Sequence, residues 1–572
     1  MKRLTRKSWR RAFTKASQRT NGPRRCGRRP RLGKPLLVAV LAVLVFSACQ
    51  TRPATEVSYD AATLNGRGEC SGTYTAEFWW EYGTVGFGEW NQTPPRTLNC
   101  PGSTPTVDLD AQRVTGLSDG VEYRFRLCGR ANNGPIDCYD QNGTKGGTSY
   151  HRFTTLTHPT VVPRSANAFD DSIGVGTHPS YTDTPGHAAG PGGEARTAGL
   201  MDDAGIRHVR NEVVTNVDPT FSAQVAANAE AWPLRGIKSL WGVGRCSVAI
   251  FEGNLRARLD KIAQIDHDLS TGLESTNEPD LDIPSNQCFE DWPNRERLWA
   301  AHISQTKDAH PDAVIRGLPV LGPSFVGASS ASTIGDLTQW IDFGNTHPYS
   351  GCTSPTPQHV QQNGINNYAA AAPGKPVMAT EVGFHTAVNT SEPGAQPPCD
   401  ERTGGIYTLR TVLEHFKVGV ARSYLYEAID LFPNPARDRS EENFGLLRAD
   451  FSAKPAYSYL KNLLAVTASS SGETLTALKM NVEQQPADLR SLLLRKANGD
   501  YILALWRHAS VWDRDQRIPK SVAAEPVRIS LPSANSVSRV LPNSGTSGTP
   551  LTISDRRVTL DVGGDAVLLV VR

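Results

Sequence analysis

The fold of this 572-residue chain is decided by the stretch Leu273-Glu274-Ser275-Thr276-Asn277-Glu278-Pro279-Asp280. The stretch ends a short strand-like run, and Asn277 before the acid and Pro279 after it indicate that the chain turns out of a β-sheet here. A carboxyl group at such a turn stands at the rim of the sheet, where it can contact a ligand. Glu278 is therefore a candidate for proton transfer.

A second stretch repeats this pattern further along the chain, namely Lys375-Pro376-Val377-Met378-Ala379-Thr380-Glu381-Val382-Gly383-Phe384. A proline leads into an apolar run, the run ends in Glu381, and Gly383 follows two residues later. Cleavage of a glycosidic bond requires two carboxyl groups, because one protonates the leaving oxygen while the other attacks or activates water. Glu381 is thus the candidate partner of Glu278.

The motifs Asn277-Glu278-Pro279 and Thr380-Glu381-Val382-Gly383 resemble those of the retaining glycoside hydrolases of clan A, cellulase-like or xylosidase-like enzymes. In that clan an Asn-Glu closes barrel strand four and a second Glu closes strand seven. The resemblance covers residues 171 to 467 and implies a (β/α)8 barrel. It also implies that Glu278 is the general acid/base, which must be protonated near neutral pH, and that Glu381 is the ionised nucleophile.

The region that carries the resemblance alternates short β-rich runs with helical stretches, a pattern typical of parallel strands joined by crossover helices. Eight strands are predicted, at 172–176, 206–213, 237–243, 270–277, 314–320, 343–347, 377–381 and 423–426. Helices are predicted at 254–265, 293–309, 405–418 and 453–466. Together they predict a catalytic TIM barrel over residues 165–467. Active residues of this fold gather at the C-terminal ends of the strands, where both glutamates fall.

Both flanks of the barrel are predicted to be β-sandwiches. Residues 54–156 alternate apolar and polar positions between turn clusters, and the segment 117–123 resembles the end of a fibronectin type III domain, with Tyr123 as its tyrosine corner. The pair Trp79-Trp80 in this region is either a sugar-binding platform or part of the core. Strand-like runs at 492–495, 501–506, 527–531 and 567–571 predict a second sandwich over residues 468–572.

Residues 1–48 are predicted to be a lipoprotein-type signal peptide. Fourteen Lys and Arg and no acids precede an apolar run at 36–46, which is shorter than the ~20 residues that span a bilayer. Ser47-Ala48-Cys49 resembles a bacterial lipobox, so Cys49 would be lipidated, and the segment 9–15 resembles a twin-arginine export motif. The alternatives are simple secretion and an uncleaved membrane anchor. We expect the protein at the extracellular face of the cell membrane as a lipoprotein, or secreted.

The formal net charge of +3 comes from this basic leader. Without its fourteen basic residues, 46 Lys and Arg stand against 57 Asp and Glu, which leaves a net charge of −11. An acidic chain lacks the clustered basic charge that displaces counterions from phosphates, so a nucleic-acid partner is discounted. No Asp/His cluster indicates a metal, and the Gly-rich stretch at 190–193 lacks the lysine of a phosphate loop, so no cofactor is expected.

The cysteines indicate disulfides, because an exported chain folds in an oxidising environment. Apart from the leader and the lipobox, eight cysteines remain, four before the barrel and four within it. Pairs of nearest neighbours are the simplest pairing, although the sequence does not determine it. These pairs are Cys70/Cys100, Cys128/Cys138, Cys246/Cys288 and Cys352/Cys399.

The clan resemblance extends to further site residues. Asn277 would hydrogen-bond the sugar hydroxyl beside the reacting carbon, unless it only caps the turn. Arg210, at the end of strand two, would hold Glu381 deprotonated, and a surface ion pair is the alternative. In His347-Pro348-Tyr349 after strand six, Tyr349 would orient Glu381 and His347 would line the pocket.

Two aromatic residues at strand ends are candidates for stacking on sugar faces, Trp241 after strand three and Tyr426 after strand eight. Packing in the core is an equal alternative for both. Many clan members carry a tryptophan where this chain has Tyr426. Glu274 would point into the barrel as a buried polar partner.

These observations predict an exported retaining glycoside hydrolase that cleaves β-linked oligosaccharides, polysaccharides or glycoconjugates through two glutamates. A non-catalytic carbohydrate-binding or adhesion protein on the same scaffold is one alternative. The presence of both glutamates with their Asn, Arg and Tyr neighbours argues against a decayed site. A transglycosidase would use the same residues and differ only in the acceptor of the glycosyl group.

Overall fold

The computed structural model of the protein describes residues 49–70, 72–102, 106–132, 134–188, 192–215, 218–244, 253–281 and 291–572. The signal peptide predicted at 1–48 and the Cys246/Cys288 pair lie outside these ranges. Within them, no helix has both the length and the apolar character needed to cross a membrane.

The N-terminal region is an antiparallel β-sandwich of ten strands. They are β1 (Gln50–Thr55), β2 (Ala62–Glu69), β3 (Thr73–Thr84), β4 (Asn91–Gln92), β5 (Arg96–Pro101), β6 (Thr106–Asp108), β7 (Gln112–Val114), β8 (Glu122–Ala131), β9 (Asp137–Tyr139) and β10 (His151–Thr154). One sheet has the order β1-β2-β6 with β7 beside β2, and the other has the order β10-β8-β3-β4 with β5 beside β3 and β9 beside β8. The disulfides Cys70–Cys100 and Cys128–Cys138 are confirmed here.

Both tryptophans of the Trp79-Trp80 pair are buried in this sandwich, so they serve packing and offer no exposed platform. The hydroxyl of Tyr123 accepts a hydrogen bond from the backbone N–H of Ser118 at 2.7 Å. A bond from a buried tyrosine back to the preceding turn is the arrangement expected of a tyrosine corner. The likeness of the whole domain to fibronectin type III stays a prediction.

Two short strands, β11 (Thr160–Val161) and β12 (Arg164–Ser165), lead into the barrel. The barrel consists of β13 (Ile173–Gly176), β14 (His208–Glu212), β15 (Lys238–Gly242), β16 (Ser270–Glu274), β17 (Val320–Leu321), β18 (Gly344–Thr346), β19 (Val377–Val382) and β20 (Ser423–Leu425). These eight strands are parallel and lie in the order β17-β16-β15-β14-β13-β20-β19-β18. Parallel bridges from Leu321 to Phe343 and from Phe325 to Thr346 close the ring. The predicted (β/α)8 barrel is therefore confirmed.

Helices surround the barrel. They are α1 (Ala166–Asp171), α2 (Glu194–Asp203), α3 (Pro219–Glu230), α4 (Gly253–Ile265), α5 (Trp292–Asp308), α6 (Ala313–Gly317), α7 (Ser330–Ile334), α8 (Pro357–His359), α9 (Glu401–Val418) and α10 (Pro455–Thr467), with a 3-10 turn at Pro233–Arg235 and a π-helical turn at Val360–Asn366. Inside the ring, four strands supply the apolar side chains that pack against one another, namely Leu240, Leu321, Met378 and Tyr424. The Cys352–Cys399 disulfide is confirmed and joins the loops that follow β18 and β19.

The prediction of a strand at 314–320 is wrong for most of these residues. Residues Ala313–Gly317 form helix α6, and only Val320–Leu321 pair in the barrel as β17. The side chain of Asp312 caps the helix by accepting hydrogen bonds from the N–H groups of Val314 and Ile315. A good N-cap favours the helix even where β-branched residues favour a strand.

The C-terminal region is the predicted second β-sandwich. Its strands are β21 (Leu478–Lys479), β22 (Asn481–Gln484), β23 (Leu489–Arg495), β24 (Tyr501–Arg507), β25 (Trp512–Asp513), β26 (Ile518–Pro519), β27 (Glu525–Ser530), β28 (Val537–Val540), β29 (Thr549–Leu551), β30 (Arg557–Val562) and β31 (Val567–Val571). One sheet has the order β12-β23-β24-β31-β28-β29 and the other β22-β27-β30. The linker strands β12 and β11 pair with β23 and β21, so the linker is part of this sandwich.

The barrel and the C-terminal sandwich share one hydrophobic core. Leu413 and Phe416 of α9 and Leu460 of α10 belong to the same cluster of buried residues as Leu494 and Trp506 of the sandwich. Two buried charged residues of α9 also find partners there. Glu414 receives hydrogen bonds from Arg490 and Trp506, and Arg410 donates to the carbonyl oxygens of Ala509 and Gly564.

Candidate active site

A pocket of about 270 Å³ opens at the C-terminal ends of the barrel strands. It is lined by Thr177, His178, Ser180, Tyr181, Arg210, Asn211, Glu212, Gly242, Gly244, Arg258, Ser275, Asn277 and Glu381. Polar and charged side chains dominate this lining. The end of the barrel at which the pocket lies is the one where residues of this fold perform chemistry.

Glu278 stands where the chain leaves β16. Its backbone φ of 44° lies in the left-handed region, which costs a residue with a side chain about 1 kcal/mol. The turn is held from the neighbouring loop, because the Ser324 hydroxyl accepts the N–H of Glu278 at 3.1 Å. Asp280 also connects the loops that follow β16 and β17, because it accepts hydrogen bonds from Gly327 and Ser330. The surrounding structure thus fixes the direction of the Glu278 side chain.

Glu381 lies near the end of β19, a strand whose six residues are all buried. The glycine noted in the sequence, Gly383, has a steric reason. A Cβ at this position would lie 2.1 Å from the carbonyl oxygen of Tyr426, so only glycine lets the chain pass this close to the end of β20. The side chain of Glu381 is only 11% exposed.

The two glutamates face each other across the mouth of the barrel. A carboxylate oxygen of Glu278 and one of Glu381 lie within 4.8 Å of each other. Retaining glycosidases place their carboxyl groups about 5 to 5.5 Å apart, whereas inverting enzymes leave about 6.5 to 9.5 Å for a water molecule. The two carboxyl groups therefore lie close enough to act on one bound sugar.

Arg210, on β14, connects the residues behind the pocket. Its Nη1 donates to Glu381 at 2.6 Å, while Nε and Nη2 donate to the two carboxylate oxygens of Glu274 at 2.5 and 3.1 Å. Nη2 also donates to the side-chain oxygen of Asn277 at 2.7 Å. Glu274 is fully buried and serves as the polar partner that its position on β16 predicted. Arg210, whose side chain is 15% exposed, therefore bridges the two acids from a half-buried position at the pocket.

His347 and Tyr349 approach the glutamates from the loop after β18. The Tyr349 hydroxyl donates to Glu381 at 2.9 Å. Nδ1 of His347 lies 2.7 Å from Glu278, and its Nε2 lies 3.0 Å from the hydroxyl of Thr380. The His347 side chain is 1% exposed, so it supports the two glutamates from below and contributes little pocket surface.

The charges around Glu381 and His347 shift the pKa values of the two side chains in opposite directions. Burial would raise the pKa of Glu381, but the charges of His347 and Arg210 and the Tyr349 hydroxyl outweigh it and lower this pKa below its ordinary value. Burial would lower the pKa of His347, and the carboxylates of Glu381 and Glu278 raise it instead. Both shifts favour an ionised Glu381 beside a charged imidazole.

The remaining predicted residues occupy different places. Asn277 is exposed at the pocket, as a substrate contact requires. Tyr426 lies just beyond β20, between the rings of His178 and Tyr349, with centroid distances of 5.5 and 6.5 Å. Trp241 is fully buried in the core outside the barrel, and its indole N–H donates to Ser270. The structure therefore gives Trp241 the packing role and removes it from the site.

Glu278, His347 and Glu381 are residue types that can also bind a metal ion. One ligand atom each of Glu278, His347 and Glu381 lies within 4.8 Å of the others, which is close enough to surround a cation. The hydrogen bond between Nδ1 of His347 and Glu278 uses the imidazole nitrogen that such a cation would need.

Sequence reasoning missed part of the pocket wall. His178 and Tyr181 follow β13, Glu212 ends β14, and Ser180 donates a hydrogen bond to Glu212. The rule that active residues gather at C-terminal strand ends points to these positions, as it does to Arg210 on the same strand as Glu212. The sequence around them carries no motif that singles them out.

No protein-family model and no curated protein matches the chain. Among solved structures, a beta-glucuronidase of Bacteroides uniformis is similar at 13% identity and a TM-score of 0.38, over 92% of this chain and 60% of that one. A beta-glucuronidase of Parabacteroides merdae has 12% identity and a TM-score of 0.35, over 91% and 74% of the two chains. An active-site mutant of the Rhizomucor miehei beta-1,3-glucanosyltransferase has 15% and 0.36, over 51% and 97%. The chain thus spans 60% of the length of the Bacteroides protein.

Proposed function

We propose that the protein is a retaining glycoside hydrolase acting on β-linked oligosaccharides or polysaccharides. The observation that carries this proposal is the geometry of the two glutamates at the C-terminal ends of strands four and seven. Their carboxylate oxygens lie within 4.8 Å of each other, and Arg210 and Tyr349 bind Glu381 directly. A solvated pair of loop acids would have neither this separation nor these partners.

In the first step, an oxygen of Glu381 attacks the anomeric carbon and forms a covalent glycosyl ester. The bond to the leaving oxygen breaks as Glu278 donates its proton to that oxygen. In the second step, Glu278 removes a proton from a water molecule, which attacks the same carbon and releases Glu381. Two displacements leave the anomeric configuration unchanged.

The neighbouring residues suit these roles. Arg210, Tyr349 and His347 stabilise the carboxylate that attacks. His347 also lies at hydrogen-bond distance from Glu278 and can hold the proton that Glu278 delivers. Asn277 stands at the pocket beside Glu278, where it can bind the sugar hydroxyl next to the reacting carbon.

Aryl β-glycosides with different sugars and leaving groups test this proposal, with Glu278→Gln and Glu381→Gln as variants. We expect Glu381→Gln to lower kcat by about 10⁴-fold or more, because it removes the nucleophile. Glu278→Gln should lose less on substrates with good leaving groups, which need no proton. Product NMR should show retained configuration. Inverted product, or turnover that survives Glu381→Gln, would overturn the mechanism, and transfer to sugar acceptors would identify a transglycosidase.

We also propose that the chain is exported and anchored by a lipid at Cys49. The basis is the leader and lipobox in the sequence. In the structure Cys49 directly precedes β1, so an anchor here would hold the N-terminal sandwich close to the membrane. Cell fractionation in a bacterial host tests this proposal. Membrane association that Cys49→Ala abolishes would support it, and equal membrane binding by the variant would contradict it.

A further inference from the structure

The wall of the pocket that strands one and two form contains two polar groups that the proposed mechanism does not use. His178 follows β13 and Glu212 ends β14, and both side chains line the same pocket as Glu381. The Ser180 hydroxyl binds one carboxylate oxygen of Glu212. Among the described residues, the other oxygen of Glu212 and Nδ1 of His178 have no hydrogen-bond partner. One acceptor and one potential donor are therefore available to a ligand.

The His178 ring is fixed in position. Tyr181 stacks on it with ring centroids 4.5 Å apart and an interplanar angle of 9°, and Tyr426 meets it edge-on. Nε2 is buried and lies 3.3 Å from the carboxylate of Glu427, which is itself fully buried. Within the described residues this ion pair is the only polar contact of the Glu427 carboxylate. Neither this Nε2 nor either oxygen of Glu427 has a hydrogen-bond partner among the described residues, so the electrostatic attraction of a charged imidazole is what would stabilise the buried carboxylate.

A charged imidazole leaves Nδ1–H as a donor without an acceptor among the described residues, in a side chain that lines the pocket. The pKa of His178 supports this state, because burial would lower it while Glu427, Glu212 and Glu381 raise it above its ordinary value. In that state Nδ1–H is a donor. It lies on the same pocket wall as the free acceptor oxygen of Glu212.

We propose that His178 and Glu212 read a pair of hydroxyl groups on an uncharged sugar, His178 donating a hydrogen bond to one and Glu212 accepting one from the other. This inference rests on the proposed function only in that it takes the pocket beside Glu381 as a sugar site. It goes further by naming the substrate class and two residues that set specificity.

The charges around the pocket disfavour a sugar with its own carboxylate. Of the described basic groups in the lining, Arg210 is bound to Glu274 and Glu381, His178 is paired with Glu427, and Arg258 donates to the carbonyl oxygen of Val243. Each already faces an acceptor. A uronic acid would add a negative charge beside Glu212 and Glu381, which costs binding energy in a partly dehydrated site.

Binding measurements on the full chain carrying Glu381→Gln test this inference without relying on turnover. Calorimetric titrations would compare neutral probes, cello-, xylo- and β-1,3-gluco-oligosaccharides, with glucuronate-containing oligosaccharides. We expect a neutral probe to bind and Glu212→Gln, added to the same chain, to weaken it about 10- to 100-fold, as loss of a charged hydrogen bond does. Glu442→Gln, which removes only an ion pair with the exposed Arg439, is the matched control and should change nothing.

Oligosaccharides that lack a single hydroxyl group test which hydroxyl binds Glu212 and which binds His178. One probe lacks the hydroxyl that donates a hydrogen bond to Glu212. Loss of this hydroxyl should weaken binding to the Glu381→Gln chain about 10-fold or more, and should weaken binding to the Glu381→Gln/Glu212→Gln chain much less. His178→Asn should show the same pattern with a neighbouring deoxy position. Circular dichroism of each variant establishes that it is folded.

Three results would overturn the inference. These are preferential binding of the glucuronate probes, a Glu212→Gln effect no larger than that of Glu442→Gln, and absence of binding by every probe. A failure of the proposed function would give another result. The protein with its native Glu381 would then bind a neutral glycan in a Glu212-dependent way but would hydrolyse no glycan.

Discussion

The hydroxyl of Tyr349 is an uncharged group that stabilises the ionised form of Glu381 by donating a hydrogen bond to it. We therefore expect Tyr349→Phe to raise the pKa of Glu381, since the carboxylate loses a hydrogen bond at 2.9 Å. The acid limb of kcat/KM, which would report ionisation of the proposed nucleophile in the free enzyme, should move to higher pH. Activity at the optimum should fall about 10- to 100-fold.

Tyr407→Phe is the control for this experiment, because its hydroxyl contacts Ser510 and Val511 in the C-terminal sandwich and no group of the site. Its pH profile should match that of the parent enzyme. If Tyr349→Phe lowers activity without moving the acid limb, the hydroxyl acts on substrate and not on the pKa of Glu381.

Single residues were predictable where their chemistry is tied to a strand end and a motif. Glu278, Glu381, Arg210 and Tyr349 all stand where the sequence placed them, because backbone periodicity fixes strand ends and few residue types serve the chemistry there. Trp241 was not decidable in this way. Its side chain points away from the barrel, and an aromatic residue near a strand end fits the helix layer as well as it fits a sugar.

At the scale of elements, the Cys352–Cys399 disulfide ties the loop that carries Tyr349 to the loop that follows Glu381. Closing a loop of 47 residues lowers the conformational entropy of the unfolded chain. In the chain-entropy model this raises the free energy of unfolding by about 4 kcal/mol. The double variant Cys352→Ala/Cys399→Ala should therefore lower the urea midpoint. It should also lower kcat/KM, since the two loops lose their common anchor.

The Cys128→Ala/Cys138→Ala variant provides the comparison. Its loop spans 10 residues and lies in the N-terminal sandwich, so the loss of stability should be smaller, about 2.7 kcal/mol, and kcat/KM should not change. Equal activity of the two double variants would show that the bridge at Cys352 has no part in shaping the site.

Helix α9 contains a buried histidine that makes the fold sensitive to acid. Burial lowers the pKa of His415 to about 3, from an ordinary value of 6.5, and its Nδ1 lies 2.8 Å from the Ser423 hydroxyl. The unfolded chain therefore binds a proton in a pH range where the folded chain does not. Stability should fall as the pH is lowered from about 6.5 to about 3, and no further contribution should come from this residue below that range.

Urea midpoints measured across this range check the effect. His415→Asn keeps a polar partner for Ser423 but does not titrate, so its midpoints should depend less steeply on pH than those of the parent enzyme. Identical slopes would mean that other groups account for the acid sensitivity.

Elements were predictable where hydrophobic pattern and length agree, as in β19 and α9. They were not predictable where two local preferences compete. The run Val314-Ile315 favours a strand by its β-branched residues, but the N-cap at Asp312 favours a helix, and the barrel needs only the two residues of β17 for its fifth strand. Neither the strength of that cap nor the room left in the ring can be read from the sequence.

For the whole molecule, Arg557 joins the two sandwiches. It donates to both carboxylate oxygens of Asp60 in the N-terminal sandwich and to Glu483 in the C-terminal one, all in partly buried positions. We expect Arg557→Ala to destabilise this joint by about 2 kcal/mol, because it leaves Asp60 without its partner. Limited proteolysis should then release the N-terminal sandwich faster, while activity on aryl glycosides stays unchanged.

Arg572→Ala is the control, since it removes an exposed pair with Asp500 and should have little effect on proteolysis. Unchanged proteolysis of Arg557→Ala would show that the hydrogen bond between His158 and Ser530 and the ion pair between Asp119 and Lys479 suffice to hold the joint. The order of the three domains follows from their different periodicities along the chain. Their mutual contacts do not, because residues as far apart as Asp60 and Arg557 leave no joint pattern in one sequence.

The core that the barrel shares with the C-terminal sandwich has a consequence for how such a chain can change over generations. Domains that touch only through polar surfaces can be exchanged by recombination as independent cassettes. Here a gene cut after α10 would encode a barrel whose helix α9 exposes Phe416 and leaves Arg410 and Glu414 without the partners described above. Barrel and sandwich must therefore be inherited together, and substitutions on one side of the shared core are expected to be matched on the other.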